Sequence, residues 1–566
     1  MIVLPNRNIL VASMAGALLA LGLLAGCASN NTPTPLPTAT PEPTVTPLPR
    51  GGNLTIRAAD EVAELRPWQP RTRAEEQVIE LMYSGLTYLD DKLQPRPDLA
   101  ERWDASADGR LITFTLRTNL TWHDGTPVTS DDVAYTLGEL RTISPTTSLL
   151  ADLRARVAQV TPLNASTVEI SLTERYAPIF AELAVPILPK HLLNGKNIAE
   201  LNFWDAPVGS GPFKLEKREA GQSISLAANP LFYRGPPLLD RVVFAVAPDA
   251  AVAAKAMADG QLLLAELPAD SRPITATVPD ARVGEYVENG YYFLGFNTRQ
   301  GRPFADAQVR NALAKAIDMP ALVREATGGV GRAIGSDAAP GSWADVVPPP
   351  TSTVDLAQAR ALLDEAGWRV PDGGAVRQRD GKPLAAQLFV RGDDQRRIKA
   401  ANLIAKAAAT VGISLTVQPA DFETVLSARY MPPYDFDLLL GSWVGGAGDP
   451  AFGDYLFYDP DNYALFHSSQ INQGVADMRA ALNFVGFSDA QYENQVVAAR
   501  QIYDSAQRTD ALQRAQQRIS ELKPYLFLWS DRRVAALSAK VTTLDGPINK
   551  STPLYLWNIE RWHLVK

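Results

Sequence analysis

The chain is poor in the residues that most often build disulfides and metal sites: it has one cysteine, Cys27, and four histidines. A lone thiol cannot close an intramolecular disulfide or build a cysteine-based zinc site, each of which needs at least two. His123, His191, His467 and His563 are scattered, and no two stand at the spacing that puts paired imidazoles on one helix face. No metal site and no cofactor is therefore expected. Positive charge is also scarce. With 54 Lys and Arg against 62 Asp and Glu, the formal net charge is −8, which gives no basic footprint for phosphates and excludes nucleic acid as an expected partner. Apolar residues make up 46% and charged residues 20%, ordinary values for soluble folds that disfavour both general disorder and multiple membrane spans. A length of 566 residues exceeds one hydrophobic core, so two or three domains of ~100–200 residues are expected.

The first 26 residues read as an address. One positive charge, Arg7, precedes an apolar run over residues 9–26 that ends Leu24-Ala25-Gly26-Cys27. That is a secretory signal with a lipoprotein cleavage box: small residues admit the peptidase, and the thiol of Cys27 receives the lipid. An ordinary transmembrane anchor is the competing reading, because the run is near the lower limit for a span. On either reading the body lies outside the cytoplasm, and the first places it on a lipid anchor at the cell membrane. Residues 27–50 continue as a tether. The stretch TPTPLPTATPEPTVTPLP is mostly Thr and Pro, cannot bury apolar surface, and favours extended polyproline II geometry.

From residue 51 onward strands and helices mix, an α/β pattern. Residues 111–117 (LITFTLR), 168–173 (VEISLT) and 223–227 (SISLA) alternate apolar and polar as half-buried strands do. Residues 306–317 put Val309, Ala312, Leu313, Ala316 and Ile317 on one helical stripe. Residues 355–366 repeat the pattern, opened by an Asp355/Gln358 capping box and closed by Gly367. A helix over 398–410 precedes a strand over 413–418. The run at 437–443 (DLLLGSW) predicts a strand covered on both faces, and one long helix is predicted over 496–522. Catalytic motifs fail on inspection. Gly329-Val330-Gly331-Arg332-Ala333-Ile334 lacks the third glycine of a dinucleotide loop, and Val208-Gly209-Ser210-Gly211 is not a nucleophile elbow, so no enzymatic activity is expected.

Several segments carry a resemblance when taken in order. They are Asp98-Leu99-Ala100-Glu101-Arg102-Trp103, then residues 121–133 (TWHDGTPVTSDDV), then Pro207 to Phe213 (PVGSGPF) with Asn229-Pro230 and Tyr233. Further on come Phe296-Asn297, Pro303-Phe304, Val309-Arg310, the DLAQARALLDEAGW helix and residues 437–450. Together they resemble extracellular solute-binding proteins of family 5, the peptide and nickel type of substrate-binding lipoprotein that serves ABC importers. The resemblance implies an α/β, two-lobed periplasmic-binding-protein fold of class II type, with an extra subdomain in the first lobe and a two-crossover hinge. Lobe I would comprise residues 51–86, 206–292 and 528–566, subdomain Ib residues 87–205, and lobe II residues 293–527. It also implies capture of oligopeptides or similar polar solutes for a membrane permease, by a monomer. Oligosaccharide or chelated metal on the same fold, or a sensory module, remain open.

The loop after the 437–443 strand should line the cleft, since ligands in open α/β sheets sit beyond the carboxyl ends of strands. This makes Trp443, Val444, Gly445, Gly446 and Asp449 candidates for ligand binding, with Tyr291 and Tyr292 at the hinge. The bland alternative is that Trp443 is core and the glycines make a turn. In peptide-binding relatives an aspartate three residues after this tryptophan pairs with the peptide amine, but here the position is Gly446. Asp449 occupies the acidic position before Pro450, more often a structural one. Arg71 and Arg73 could hold a carboxylate through paired hydrogen bonds, or be solvated surface arginines. His123 reads as part of a structural turn.

Overall fold

The structure, a computed structural model, describes residues 48–68, 72–143, 148–200, 202–275, 278–443, 458–471 and 482–565. The first strand, β1 (Asn53–Ala58), sets the alternation that builds the sheet: Leu54 and Ile56 point into the core while Asn53 faces solvent. The chain then forms helix α1 (Arg73–Met82), whose N-cap Thr72 and Glu75 make a reciprocal capping box. Four antiparallel strands follow, β2 (Ala100–Ala105), β3 (Leu111–Leu116), β4 (Val157–Asn164) and β5 (Thr167–Leu172), in spatial order β2-β3-β5-β4. In β3 and β5 every second residue is buried, the one-wet-face pattern that their sequence predicts. β6 (Phe213–Glu219), β7 (Ser223–Ala228) and β8 (Arg241–Val246) return the chain to the main sheet, where β8 lies parallel to β1. β9 (Leu264–Pro268) completes this side.

The PVGSGPF segment is held close to α1. A Cβ on Gly209 or Gly211 would collide with the backbone at Leu81 and Met82, so only glycine permits the approach. His123 sits against the same segment: its Nδ1 accepts from the Gly209 N–H at 3.2 Å, which leaves Nε2 to donate to the Gly211 carbonyl at 3.1 Å. Burial pushes this imidazole down to about 4, so it stays neutral and structural.

β10 (Ala281–Val287) and β11 (Tyr291–Phe296) lead onward through β12 (Gly331–Ala333), β13 (Ala385–Arg391), β14 (Ser414–Ala420) and β15 (Leu438–Trp443) to β16 (Tyr525–Ser538). The main path runs β14-β13-β15-β11-β16-β9-β1-β8-β7-β6. All six residues of β11 and of β15 are buried, as a run covered on both faces requires. Helices α2 (Ala307–Lys315), α3 (Leu356–Glu365) and α4 (Gln395–Ala409) pack apolar stripes on this part. Asp355 caps α3 by accepting from Gln358 N at 2.8 Å, but only half of the predicted box forms, because Asp355 N donates to the Lys315 carbonyl instead. Gly367 ends the segment at φ +81°.

The predicted helix over 496–522 is a correction: the structure has two, α5 (Ala490–Arg500) and α6 (Ser505–Leu522). Asp504 leaves helical geometry and caps α6 by accepting from Gln507 N at 2.9 Å. The cap satisfies N–H groups that a continuous helix would bond internally.

Apolar packing divides the chain. One core gathers residues of β1, α1, β3, β5, β7 and β8 with Leu537, Tyr555 and Trp562 from the far end. Two others draw only on residues between Tyr291 and Trp529. Leu440, at the centre of β15, is almost fully buried in the second group. Leu440→Ala should cost about 2–5 kcal/mol, read as a lower urea midpoint, while Val283→Ala on an exposed part of β10 should stay within about 1 kcal/mol.

Candidate binding site

β11 and β15 pair antiparallel with Tyr291 opposite Trp443. Side chains alternate along a strand, so Tyr291 and Phe293 share one face while Tyr292 and Leu294 take the other. The Tyr291 face is an aromatic chamber. Phe293 stacks on Trp443 at 5.7 Å and on Tyr525 at 4.1 Å, and Tyr291 meets Phe527 edge-on at 5.5 Å. Trp443 is only 1% exposed, so its ring serves the packing of this chamber. Tyr291 is 4% exposed, and its hydroxyl has no hydrogen-bond partner among the described residues.

Tyr292 does different work. It stacks on Trp529 at 4.4 Å, and its hydroxyl donates to Asp531 at 3.2 Å while accepting from Arg396 at 2.9 Å. Arg396 in turn grips Asp531 with two hydrogen bonds of 2.9 and 3.1 Å. Tyr291 and Tyr292 are therefore adjacent in sequence but do not share a surface. Arg73 is occupied as well. Its guanidinium pairs with Glu76 at 3.3 Å and Glu266 at 3.5 Å and donates to the Pro553 carbonyl. Glu266 also accepts from Gln77 at 3.0 Å, from Tyr286 at 3.0 Å and from Tyr555. Cys27, Arg71, Val444, Gly445, Gly446 and Asp449 lie outside the described residues.

Local sequence patterns missed the seam where the two groups of cores meet. The break between α5 and α6 exposes the Arg500 carbonyl, which accepts from Ala177 N at 2.6 Å. It also frees Tyr503, whose hydroxyl accepts from Tyr176 N at 3.3 Å and donates to the Gly109 carbonyl at 2.6 Å. Arg500 donates to the Tyr176 hydroxyl at 3.0 Å, and that hydroxyl donates to Glu182 at 2.5 Å. On the α5–α6 side Arg500 pairs with Asp461 at 2.9 Å, and Arg508 holds Asp459 through two contacts of 2.7 Å. The one sequence signal for this was the Asp504-to-Gln507 spacing, a capping pattern inside the supposed helix. Among the described residues no group of three or more His, Cys, Asp or Glu is placed to hold a metal ion.

This geometry invites comparison with known proteins. The family described as bacterial extracellular solute-binding proteins, family 5 Middle, matches residues 94–464. The chain belongs to that family. The family 5 chain is 26% identical over 535 residues to the oligopeptide-binding protein AppA of Bacillus subtilis, covering 91% of this chain and 92% of AppA. It is 30% identical over 482 residues to protein XP55 of Streptomyces lividans, covering 83% of each. The structure of Bacillus subtilis AppA in complex with a nonapeptide superposes with a TM-score of 0.64 at 26% identity, covering 92% of this chain and 100% of that one. The fold of this family 5 chain is accordingly the two-lobed α/β arrangement of periplasmic binding proteins.

Two carboxyls give the seam a pH dependence. Burial, offset in part by Arg500 and Arg156 and reinforced by Asp461 and Asp459, pushes Asp152 up from 3.8 to about 6. Glu182, 5% exposed, is pushed up by burial and by Asp152. A carboxyl raised in the folded state favours low pH: its penalty is absent below the ordinary value and grows as pH rises through the shifted one. Between pH 5 and 8 the wild-type melting temperature should therefore fall more steeply than that of Glu182→Gln, which cannot ionise. Parallel slopes for the two proteins would contradict this account of the seam.

Proposed function

We propose that this chain is the extracytoplasmic substrate-binding component of an ABC importer, a binding protein without catalysis that captures oligopeptides or similar polar solutes and delivers them to membrane permease subunits. The observation that carries the reading is the arrangement of two lobes, linked by strands that run through both and docked by a polar seam. The contacts across the seam are hydrogen bonds and one small apolar cluster that joins Leu89, Leu93, Ala181 and Leu554 to Ala339 and Tyr458, and such an interface can open at lower cost than a continuous apolar core. Similarity over nearly the whole length to an oligopeptide-binding protein, and to a structure holding a nonapeptide, supports the choice of ligand class.

The proposed lobes are residues 51–86, 206–292 and 528–566 for the first, with residues 87–205 as its subdomain, and 293–527 for the second. Their support is that Leu54 and Tyr555 share one core while Leu294 and Leu440 share another. Among the described residues no helix is long and apolar enough to cross a membrane. Attachment is assigned to a lipid on Cys27, after removal of residues 1–26, with residues 27–50 as tether and the protein acting as a monomer. Two or more acyl chains, at ~0.8 kcal/mol per buried CH₂, suffice for durable anchoring.

Calorimetric titration of the detergent-purified chain with peptides of graded length should give a dissociation constant of roughly micromolar or tighter, about −8 kcal/mol, together with a smaller radius of gyration. Peptides that leave both heat and shape unchanged would sink the reading. Separately, Cys27→Ser should lose incorporation of labelled palmitate and shift the protein to the soluble fraction.

A further inference from the structure

Glu182 ends the helical turn Ile179–Glu182 in the proposed first lobe and is 5% exposed. Its carboxyl accepts from the Tyr176 hydroxyl at 2.5 Å, while its Oε2 is buried with no partner among the described residues. Arg500 donates to the Tyr176 hydroxyl at 3.0 Å rather than to the carboxyl. Part of the cover over this pair comes from the other proposed lobe. The Arg500 guanidinium lies 4.9 Å from the centre of the Tyr176 ring. The Tyr503 hydroxyl accepts from Tyr176 N at 3.3 Å, and the Tyr503 ring meets Phe180 edge-on at 5.0 Å.

Acids outnumber free cations around it. From its own lobe come Asp152 and Arg156, both on the helix Ser148–Arg156. Arg156 lies 5.3 Å from the Tyr176 ring centre but is already paired with Glu174. From the second lobe come Asp461, paired with Arg500 at 2.9 Å, and Asp459, held by Arg508 through two contacts of 2.7 Å. Asp152, Glu182, Asp459 and Asp461 thus depend on Arg500 and Arg508 alone. Burial first, then Asp152 and Asp459, push Glu182 well above the ordinary carboxyl range, against the Tyr176 hydrogen bond and the charge of Arg500. Moving the second lobe away would remove Asp459, Arg500 and Tyr503 and admit water to the carboxyl, returning it toward its ordinary value.

We infer that closure of the lobes on a ligand draws a proton from solvent onto the Glu182 carboxyl, which makes this seam a pH-sensitive switch on capture. The inference rests on the two-lobed capture reading above and adds a regulation that the reading lacks. A neutral acid can be covered by Arg500 and Tyr503 without burying an unpaired charge. The sign follows from linkage. A group raised in the closed state binds more protons there than in the open one, so closure has full support at low pH and loses it as pH rises through the raised value. The ligand is held more firmly in acid and released more readily near neutrality.

The test titrates the full-length protein at pH 6.5 with a pool of random hexapeptides lacking Asp, Glu and His, once in phosphate and once in Bis-Tris, buffers of different ionisation enthalpy. Peptide amines, with an ordinary value of about 7.7–8.0, are already protonated at this pH, so the difference in heat between buffers counts protons taken up by the protein. Wild type should take up about one proton per peptide bound. Glu182→Gln, which keeps the shape of the neutral acid, should bind with at least about half a proton less. Wild-type affinity should also fall roughly threefold to tenfold from pH 5.5 to pH 6.5, a measurement that needs no variant. Binding without proton uptake, uptake unchanged in Glu182→Gln, or affinity flat with pH overturns the switch and leaves capture standing. Absence of binding at both pH values overturns peptide capture and the switch with it.

Discussion

A strand that hydrogen-bonds to both lobes limits how they can move, and β16 is such a strand. Its C-terminal half pairs with β9 on one side and β10 on the other, and its N-terminal half pairs with β11. Rotation of one lobe against the other must spare these ladders, since broken backbone bonds in a buried sheet leave polar groups unsatisfied. The compliant place is where β16 changes partners, opposite Glu288 to Gly290. There the pairing on this side reduces to Glu288 N donating to the Asp531 carbonyl at 2.9 Å, while β12 pairs with Trp529 to Asp531 on the other. Arg396 on Asp531 and Arg533 on Glu288, at 2.5 Å, brace the point from either side.

Against this fixed axis the seam has the opposite character. Ala177, Tyr176 and Gly109 meet Arg500 and Tyr503 through directed polar contacts, with the Arg175 guanidinium 4.7 Å from the Tyr503 ring centre. Groups of this kind exchange their partners for water when separated, so the net free energy per contact is small.

The sequence made the repeating elements legible and left the singular ones obscure. β3, β5 and β15 were readable because alternation or a continuous apolar run reports burial face by face, and Asp355 and Gly367 marked the ends of α3 through backbone chemistry that any helix needs. The order of motifs from Asp98 to Pro450 carried the family. The same alternation that revealed strands also separates Tyr291 from Tyr292, a consequence that pairing them as hinge residues overlooked. Arg73 reads from sequence as a free cation, whereas Glu266, nearly two hundred residues away, receives it in the fold.

The carboxylate of Glu266 also bears on when the protein can fold. It gathers Arg73 and Gln77 from near the start of the body, Tyr286 from the middle, and Tyr555 from close to the end. The core around β1 likewise needs Leu537 and Trp562. A chain that emerges from the ribosome N-terminus first therefore cannot complete its opening lobe until almost the last residue is made, whereas the segment from β11 to β15 can collapse on itself earlier. Late completion leaves the core around β1 open through most of synthesis, even though the local sheet of residues 100–172 needs nothing from the far end.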